Sequence, residues 1–423
     1  MERYDHLYRL YEEFDAETLR AYQDFVDLFP PVDERVALSY WDDASDELAA
    51  RRKEIRESFP GTGETYADIA ARATRDQAFT GLDLATKHDR AVNALVLDVD
   101  ETLRSAGTTD NEIPRETLHL LTEFHEEGVP IVVCTGQTLE NVKGFLIQGL
   151  GNAIVHSGEL SVVYEAGTGV FTPGHGPDTK RLLYDDLSED VTGVFEALRR
   201  RVLSEAPDRI RRGCHLQGNE FNVTLKPNFE TGSEAATEVI DDALVYLLDL
   251  LGDVVAERAV GEPTGRDAPA ADADAYADWT RAYYAERDPE IRAVLEDRDA
   301  VSAAVEPPDG VATFLDRVDV AYYEGDAAEV ASRELNKVVG VEAAFDVLGV
   351  DDPFALVMGD SKSDLRVMEW AAESDAGIAA APEHASESVL DHVRDTDGLV
   401  FAPGEAGAVL RTVSVCNALV GGD

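Results

Sequence analysis

Residues Asn93 to Ser105 read N-A-L-V-L-D-V-D-E-T-L-R-S, and this stretch constrains the fold more than any other. Ala94 to Leu97 is a short unbroken apolar run, the pattern of a strand covered on both faces, found mostly in parallel sheets flanked by helices. The run stops abruptly at Asp98. Asp98 and Asp100 are two apart, so a strand period of two carries both carboxyls to one side. That side is the carboxyl end of the sheet, where open α/β sheets place their ligands.

The residues that follow extend such a sheet. Arg115 to Glu127 reads as a helix with Leu118, Leu120, Leu121 and Phe124 on its inner side, and Pro130 to Gly136 as a second buried strand ending in Thr135-Gly136. Glu140 to Gln148 reads as a helix, and Asn152 to Gly158 as a strand and turn. The pattern returns near the end of the chain. There a helix from about Ala331 to Leu348 precedes the strand Phe354 to Met358, then Gly359-Asp360, Asp364 and a helix through Trp370, with short strands near Ala376 to Ala379 and Leu399 to Ala402.

Between about 160 and 330 the alternation lapses. Val162 to Tyr164, Glu220 to Leu225 and Val318 to Tyr323 read as strands, Val191 to Leu203 and Glu234 to Leu251 as helices, and Gly261 to Ala275 as an exposed linker. Residues 1 to 90 read as helices, with Tyr4, Tyr8, Tyr11 and Phe14 at helical spacing, a break at Pro30-Pro31 and a second segment from Ala44 to Phe59. That aromatic stripe is expected to be core or a subunit contact, so a homo-oligomer through these helices is one outcome. The expected fold class is α/β, a mostly parallel sheet in two parts, 91–159 and 331–423, around an α+β unit at 160–330, with a helical extension at 1–90.

Charge narrows the function. With 85 Asp plus Glu against 37 Lys plus Arg among 423 residues, the net charge is −48. Area scaling spreads that excess over about 16,000 Å², one charge per roughly 330 Å². Only 7 of the cations are lysines against 30 arginines, a balance expected of a halophilic protein, since concentrated salt shortens the screening length to about 3 Å at 1 M. Such a surface argues against nucleic acid and anionic membranes, whose phosphates need basic patches. Cys134, Cys214 and Cys416 are far apart and odd in number, which suggests neither a disulfide framework nor a zinc knuckle. The charged opening and the lack of a long apolar run predict a soluble, cytoplasmic protein.

Asp98-x-Asp100, Thr135-Gly136 and Gly359-Asp360 each follow a predicted strand, and Lys337 lies on the helix leading into the last of these. Singly each is an ordinary solvated turn, cap or surface lysine; in this order they could meet in one crevice. Phosphoryl transfer needs an in-line nucleophile, neutralised oxygens and a proton for the leaving group. Asp98 can be the nucleophile, Asp100 the acid and then the base, Thr135 a donor to a phosphoryl oxygen and Lys337 a positive charge on the phosphate. Carboxylates at 98, 100, 360 and 364 could not gather unaided, because a pair 4 Å apart repels by about 4 kcal/mol at a dielectric of 20. A hard oxygen site with room for phosphate fits Mg²⁺, held by Asp98 and Asp360 with Asp364 and the Asp100 carbonyl assisting.

These four ordered motifs resemble those of the haloacid dehalogenase (HAD) superfamily of phosphatases. The resemblance covers about 91 to 423. It implies a Rossmann-like three-layer core, Mg²⁺ dependence, a cap domain inserted after the second motif, phosphate binding at Thr135, Gly136 and Lys337, and hydrolysis of a small phosphorylated metabolite such as a sugar phosphate or phosphoglycolate. It also places Ser157 and Gly158 where the family often has a turn near the substrate. Departures are Glu101 where a Gly is common, Gln137 where an Arg often stands and Val338 in place of Gly. A phosphomutase or phosphotransferase using the same aspartyl-phosphate is a second reading. A non-catalytic binding or regulatory protein on this scaffold is a third.

Overall fold

A computed structural model describes residues 2–29, 35–104, 113–258, 273–301 and 307–421 of the chain. In it Ala94–Leu97 is strand β1, buried at all four positions. The strands that follow are β2 (Ile131–Cys134), β3 (Leu160–Tyr164), β4 (Gly169–Phe171), β5 (Lys180–Leu182), β6 (Cys214–Gln217), β7 (Asn222–Pro227), β8 (Val318–Tyr323), β9 (Ala327–Ser332), β10 (Ala355–Met358), β11 (Gly377–Pro382) and β12 (Leu399–Phe401). Eight of them form one sheet in the order β12-β11-β10-β1-β2-β3-β4-β5. From β12 to β3 the pairs are parallel, and β4 turns back antiparallel on β3. Strands β1, β2 and β10 are buried throughout, so both faces are covered and the architecture is a three-layer α/β sheet.

The chain steps from β1 to β2 and β3 on one side, then returns to lay β10 on the other side of β1 and continues outward to β11 and β12. The topological switch point therefore lies between β1 and β10. Leu97 is in register with Met358 on one neighbour and Val133 on the other. The carboxyl ends of β1, β2 and β10 are thus level, and whatever follows them is brought together.

Five helices precede the sheet, α1 (Glu2–Glu13), α2 (Ala16–Leu28), α3 (Arg35–Ser58), α4 (Gly63–Arg72) and α5 (Arg75–His88). Their boundaries follow local chemistry: Asp15 accepts from Thr18 N–H to start α2, and Thr74 with Gln77 forms a capping box at α5. The connecting helices of the sheet are α6 (Arg115–Glu126) and α7 (Leu139–Val155), and the last helices are numbered below. Leu7, Leu10, Leu19, Ile55, Phe59, Ile69 and Leu82 belong to the same buried cluster as Leu95, Leu97, Leu120 and Phe124. Tyr4, Tyr11 and Phe14 pack against it, whereas Tyr8 is 47% exposed.

Between β5 and the return of the chain come α8 (Glu189–Arg201), α9 (Asp208–Gly213), α10 (Gly232–Glu257), α11 (Ala273–Arg287), α12 (Pro289–Asp297) and α13 (Asp309–Leu315), followed after β9 by α14 (Lys337–Leu348). The tail adds α15 (Lys362–Glu373), α16 (Glu387–Asp395) and α17 (Ala406–Val420). The chain divides into two compact units, residues 1–181 with 340–423 and residues 182–339. The second unit is a four-stranded antiparallel sheet in the order β6-β7-β9-β8 with helices packed on it. Val223, Leu225, Val330, Val318 and Val320 are buried in it, while Thr224 bonds Glu329 across β7 and β9 at 2.8 Å.

Several expectations change. Val162–Tyr164 is not in the inserted unit; it is part of β3, paired with β2, and the main sheet runs on through β5, so the division falls at 181/182 and 339/340 instead of near 160 and 330. Asn152–Val155, expected as a strand, is the end of α7. Gly151 at φ 81° bends the chain there, a backbone state open to glycine, and Ile154 and Val155 are buried. A four-residue apolar run has no period that separates helix from strand. Ala331 lies in β9 and not in a helix, and the helix expected from there starts at Lys337. The expected linker at 261–275 lies largely outside the described residues, with Ala273–Ala275 opening α11.

Arg411 ties the N-terminal helices to the sheet domain. It is 7% exposed on α17, with Nη2 2.6 Å from Asp24 on α2, Nε 2.7 Å from Glu116 on α6, and Nη1 donating to the carbonyl of Arg72, the last residue of α4. Arg411→Met leaves that carbonyl and two carboxylates without their donor. We expect a loss of about 3 kcal/mol, the lower end for a broken buried pair because both acids keep access to water. Urea unfolding of the two proteins measures it.

Candidate active site

Asp98 is the first residue past β1. Its N–H bonds the Met358 carbonyl at 2.9 Å, its side chain is 7% exposed, and the buried Thr102 hydroxyl donates to Oδ2 at 3.4 Å. Asp360 stands two residues past β10, directly across the switch point. Asp364 follows in the first turn of α15 and is 3% exposed. One carboxylate oxygen from each of Asp98, Asp360 and Asp364 lies within 4.8 Å of the other two.

The local sequence builds this trio. Asp364 closes a capping box: its Oδ2 accepts the Ser361 N–H at 3.1 Å and the Ser361 hydroxyl at 2.6 Å. Gly359 is required beside it, because a Cβ there would lie 2.3 Å from the Asp364 Cβ. At 4.8 Å and a dielectric of 20 each pair of charges repels by about 3.5 kcal/mol, so three ionised carboxylates cost about 10 kcal/mol together. Two of them are buried, which deepens the cost. This donor set fits a hard divalent cation such as Mg²⁺, with Asp98, Asp360 and Asp364 as the residues that would hold it.

Asp100 turns to other partners. Gln137 Nε2 donates to Asp100 Oδ2, and Arg104 Nη2 lies 3.3 Å from Oδ1. The loop after β2 therefore orients the Asp100 carboxylate. Thr135 is the first residue past β2, 1% exposed, and its hydroxyl accepts the Gln137 N–H at 3.0 Å, which leaves its own O–H proton to donate. Gly136 sits between them in the bend, with open space where a Cβ would point. Gln137 stands out in the sequence only by following Thr135-Gly136, and Arg104 by nothing; the loop geometry brings both to Asp100.

Glu101 has φ 61°, the left-handed region where glycine is at ease and other residues are strained. Lys337 is 4% exposed at the first residue of α14, whose opening turn is fixed by Asn336 Oδ1 accepting the N–H groups of Val338 at 2.8 Å and Val339 at 3.1 Å.

Ser157 and Gly158 are corrected. Leu160 pairs with Ile131 and Val163 with Cys134, so the 157–158 turn lies before the amino end of β3, at the edge of the sheet opposite Thr135 and about 10 Å or more from it. The Ser157 hydroxyl serves its own turn, donating to the Ile154 carbonyl and accepting the Glu159 N–H. The segment beside Thr135 is instead the turn after β3, where Glu165 N–H bonds the Gln137 carbonyl at 2.9 Å and Ala166 N–H the Thr135 carbonyl at 3.0 Å.

Among the described residues no helix is long and apolar enough to cross a membrane. No family model and no curated protein matches the chain. Among solved structures it is similar to a HAD subclass IIB sugar phosphatase, at 16% identity over 76% of this chain and 98% of the other, with a TM-score of 0.42. A HAD/COF-like hydrolase from Plasmodium vivax shares 13% identity over 79% and 98%, with a TM-score of 0.45. A phosphatase of the haloalkanoate (HAD) enzyme superfamily from Bacteroides thetaiotaomicron shares 14% over 78% and 96%, with a TM-score of 0.41.

Proposed function

We propose that this protein is a HAD-type phosphohydrolase that cleaves a small phosphomonoester through an aspartyl-phosphate on Asp98, with Mg²⁺ as cofactor. The observation that carries this reading is the meeting of Asp98, Asp360 and Asp364 within 4.8 Å at the switch point of a parallel sheet.

An Asp98 oxygen attacks phosphorus in line, forming the acyl–phosphate bond as the ester P–O bond breaks. Asp100, oriented by Gln137 and Arg104, gives its proton to the departing oxygen. It then takes a proton from the water that attacks the same phosphorus, and phosphate leaves while Asp98 is restored. The Thr135 hydroxyl donates to a phosphoryl oxygen. Mg²⁺, when bound, neutralises the developing charge on the phosphoryl oxygens. The candidate substrates are metabolites such as sugar phosphates and phosphoglycolate.

A panel of phosphomonoesters incubated with the protein in Mg²⁺ and concentrated KCl tests this. Free phosphate should accumulate with at least one, and chelating the metal should abolish the release. Phosphate appearing on an acceptor sugar with none set free would turn the reading to a phosphotransferase. No turnover with any ester would leave a binding protein on this scaffold.

A further inference from the structure

We propose a second metal site, for a transition dication of the zinc type, formed by Asp27, His119 and Glu123 and sharing no residue with the carboxylates above. His119 and Glu123 are one turn apart on α6 and share a face; Asp27 comes from the last turn of α2, which packs on α6. One oxygen from each carboxylate and one ring nitrogen all lie within 4.8 Å of one another.

The distances leave room for an ion between the three groups. His119 Nε2 is 3.5 Å from Asp27 Oδ2 and 3.8 Å from Glu123 Oε1. Both exceed the N–H···O range of about 2.7–3.2 Å, and this nitrogen is shielded from water with no hydrogen-bond partner. A buried ring nitrogen left this way is costly. Zinc bonds of about 2.1 Å in a tetrahedron set neighbouring ligands about 3.4 Å apart, close to what is seen.

The surroundings act as outer partners that aim the carboxylates. Gln23 Nε2 donates to both Asp27 oxygens at 2.9 and 2.8 Å, and Arg72 Nη2 lies 2.9 Å from Glu123 Oε1. A carboxylate oxygen has two lone pairs, so the Arg72 contact leaves a second for a metal. One guanidinium against two carboxylates leaves a negative charge for a dication to balance. Imidazole among the ligands selects a first-row transition ion over Mg²⁺ or Ca²⁺, and three protein ligands leave a fourth position for water. Because its ligands come from two helices, such an ion binds the folded chain and not the unfolded one, and stabilises it.

The full-length protein is stripped with a chelator, loaded with ZnCl₂ under saturating Mg²⁺, dialysed, and its zinc content measured beside His119→Ala and Glu123→Gln, with circular dichroism reporting on folding. We expect wild type to retain one zinc per chain more than either variant, and zinc to raise its Tm by several degrees while leaving theirs unchanged. Equal zinc in wild type and in both folded variants overturns the proposal. So does wild-type protein that keeps no zinc, which would make the cluster an imidazolium paired with two carboxylates. Should His119→Ala not fold, Glu123→Gln decides alone, since the amide keeps the shape of the side chain and loses its charge.

Discussion

Asp98→Asn protein should release phosphate from p-nitrophenyl phosphate at least about 10³-fold more slowly than wild type, because the amide cannot form the phosphorylated intermediate. The loss should appear in kcat. Asn keeps the size of Asp and can still accept from Thr102, so the fold should survive. Removing one of three charges gathered within 4.8 Å also relieves repulsion. In chelator, then, the variant should be at least as stable as wild type, an outcome that separates a charged cluster from ordinary packing. Asp100→Asn should behave differently: p-nitrophenol departs with little protonic help, so alkyl phosphates should suffer far more than the aryl ester. Wild-type turnover by Asp98→Asn would end the mechanism.

Removing residues 1–89 should have the largest structural effect. The deletion takes Leu7, Leu10, Leu19, Ile55, Phe59, Ile69 and Leu82 out of one shared cluster, each 2% exposed or less. It also removes α5, on which α17 packs with Thr412 and Val415 beside Gly81, and α2, which packs on α6. At about 1.5–3 kcal/mol for each large buried side chain, the burial lost with these residues is comparable to the 5–15 kcal/mol by which a domain is usually stable. Arg411 would lose Asp24 and the Arg72 carbonyl as well. We expect residues 90–423 made alone to aggregate or to lack near-ultraviolet dichroism. A soluble fragment of normal size with wild-type activity would show that these helices serve neither core nor catalysis.

Local pattern made the centre of this protein readable in advance. Four apolar residues ending in Asp98, four more ending at Thr135 and another four ending at Gly359-Asp360 each encode a buried strand and a polar stop, and parallel strands align such stops by necessity. The capping chemistry of Asp364 was equally local, since a Ser three residues before an acid at a helix start is self-contained. What the amino-acid order could not disclose was everything set by approach between distant segments. Whether Asn152–Val155 was strand or helix, and therefore which edge of the sheet received Ser157, depended on packing and on the bend at Gly151. Gln137 and Arg104 acquire meaning only because two loops meet over Asp100. Of the N-terminal aromatic stripe, Tyr4, Tyr11 and Phe14 pack on the core because α1 lies against α4 and α5, while Tyr8 stays exposed. Periodicity along the chain records which side of an element is buried, and three-dimensional packing alone records what buries it.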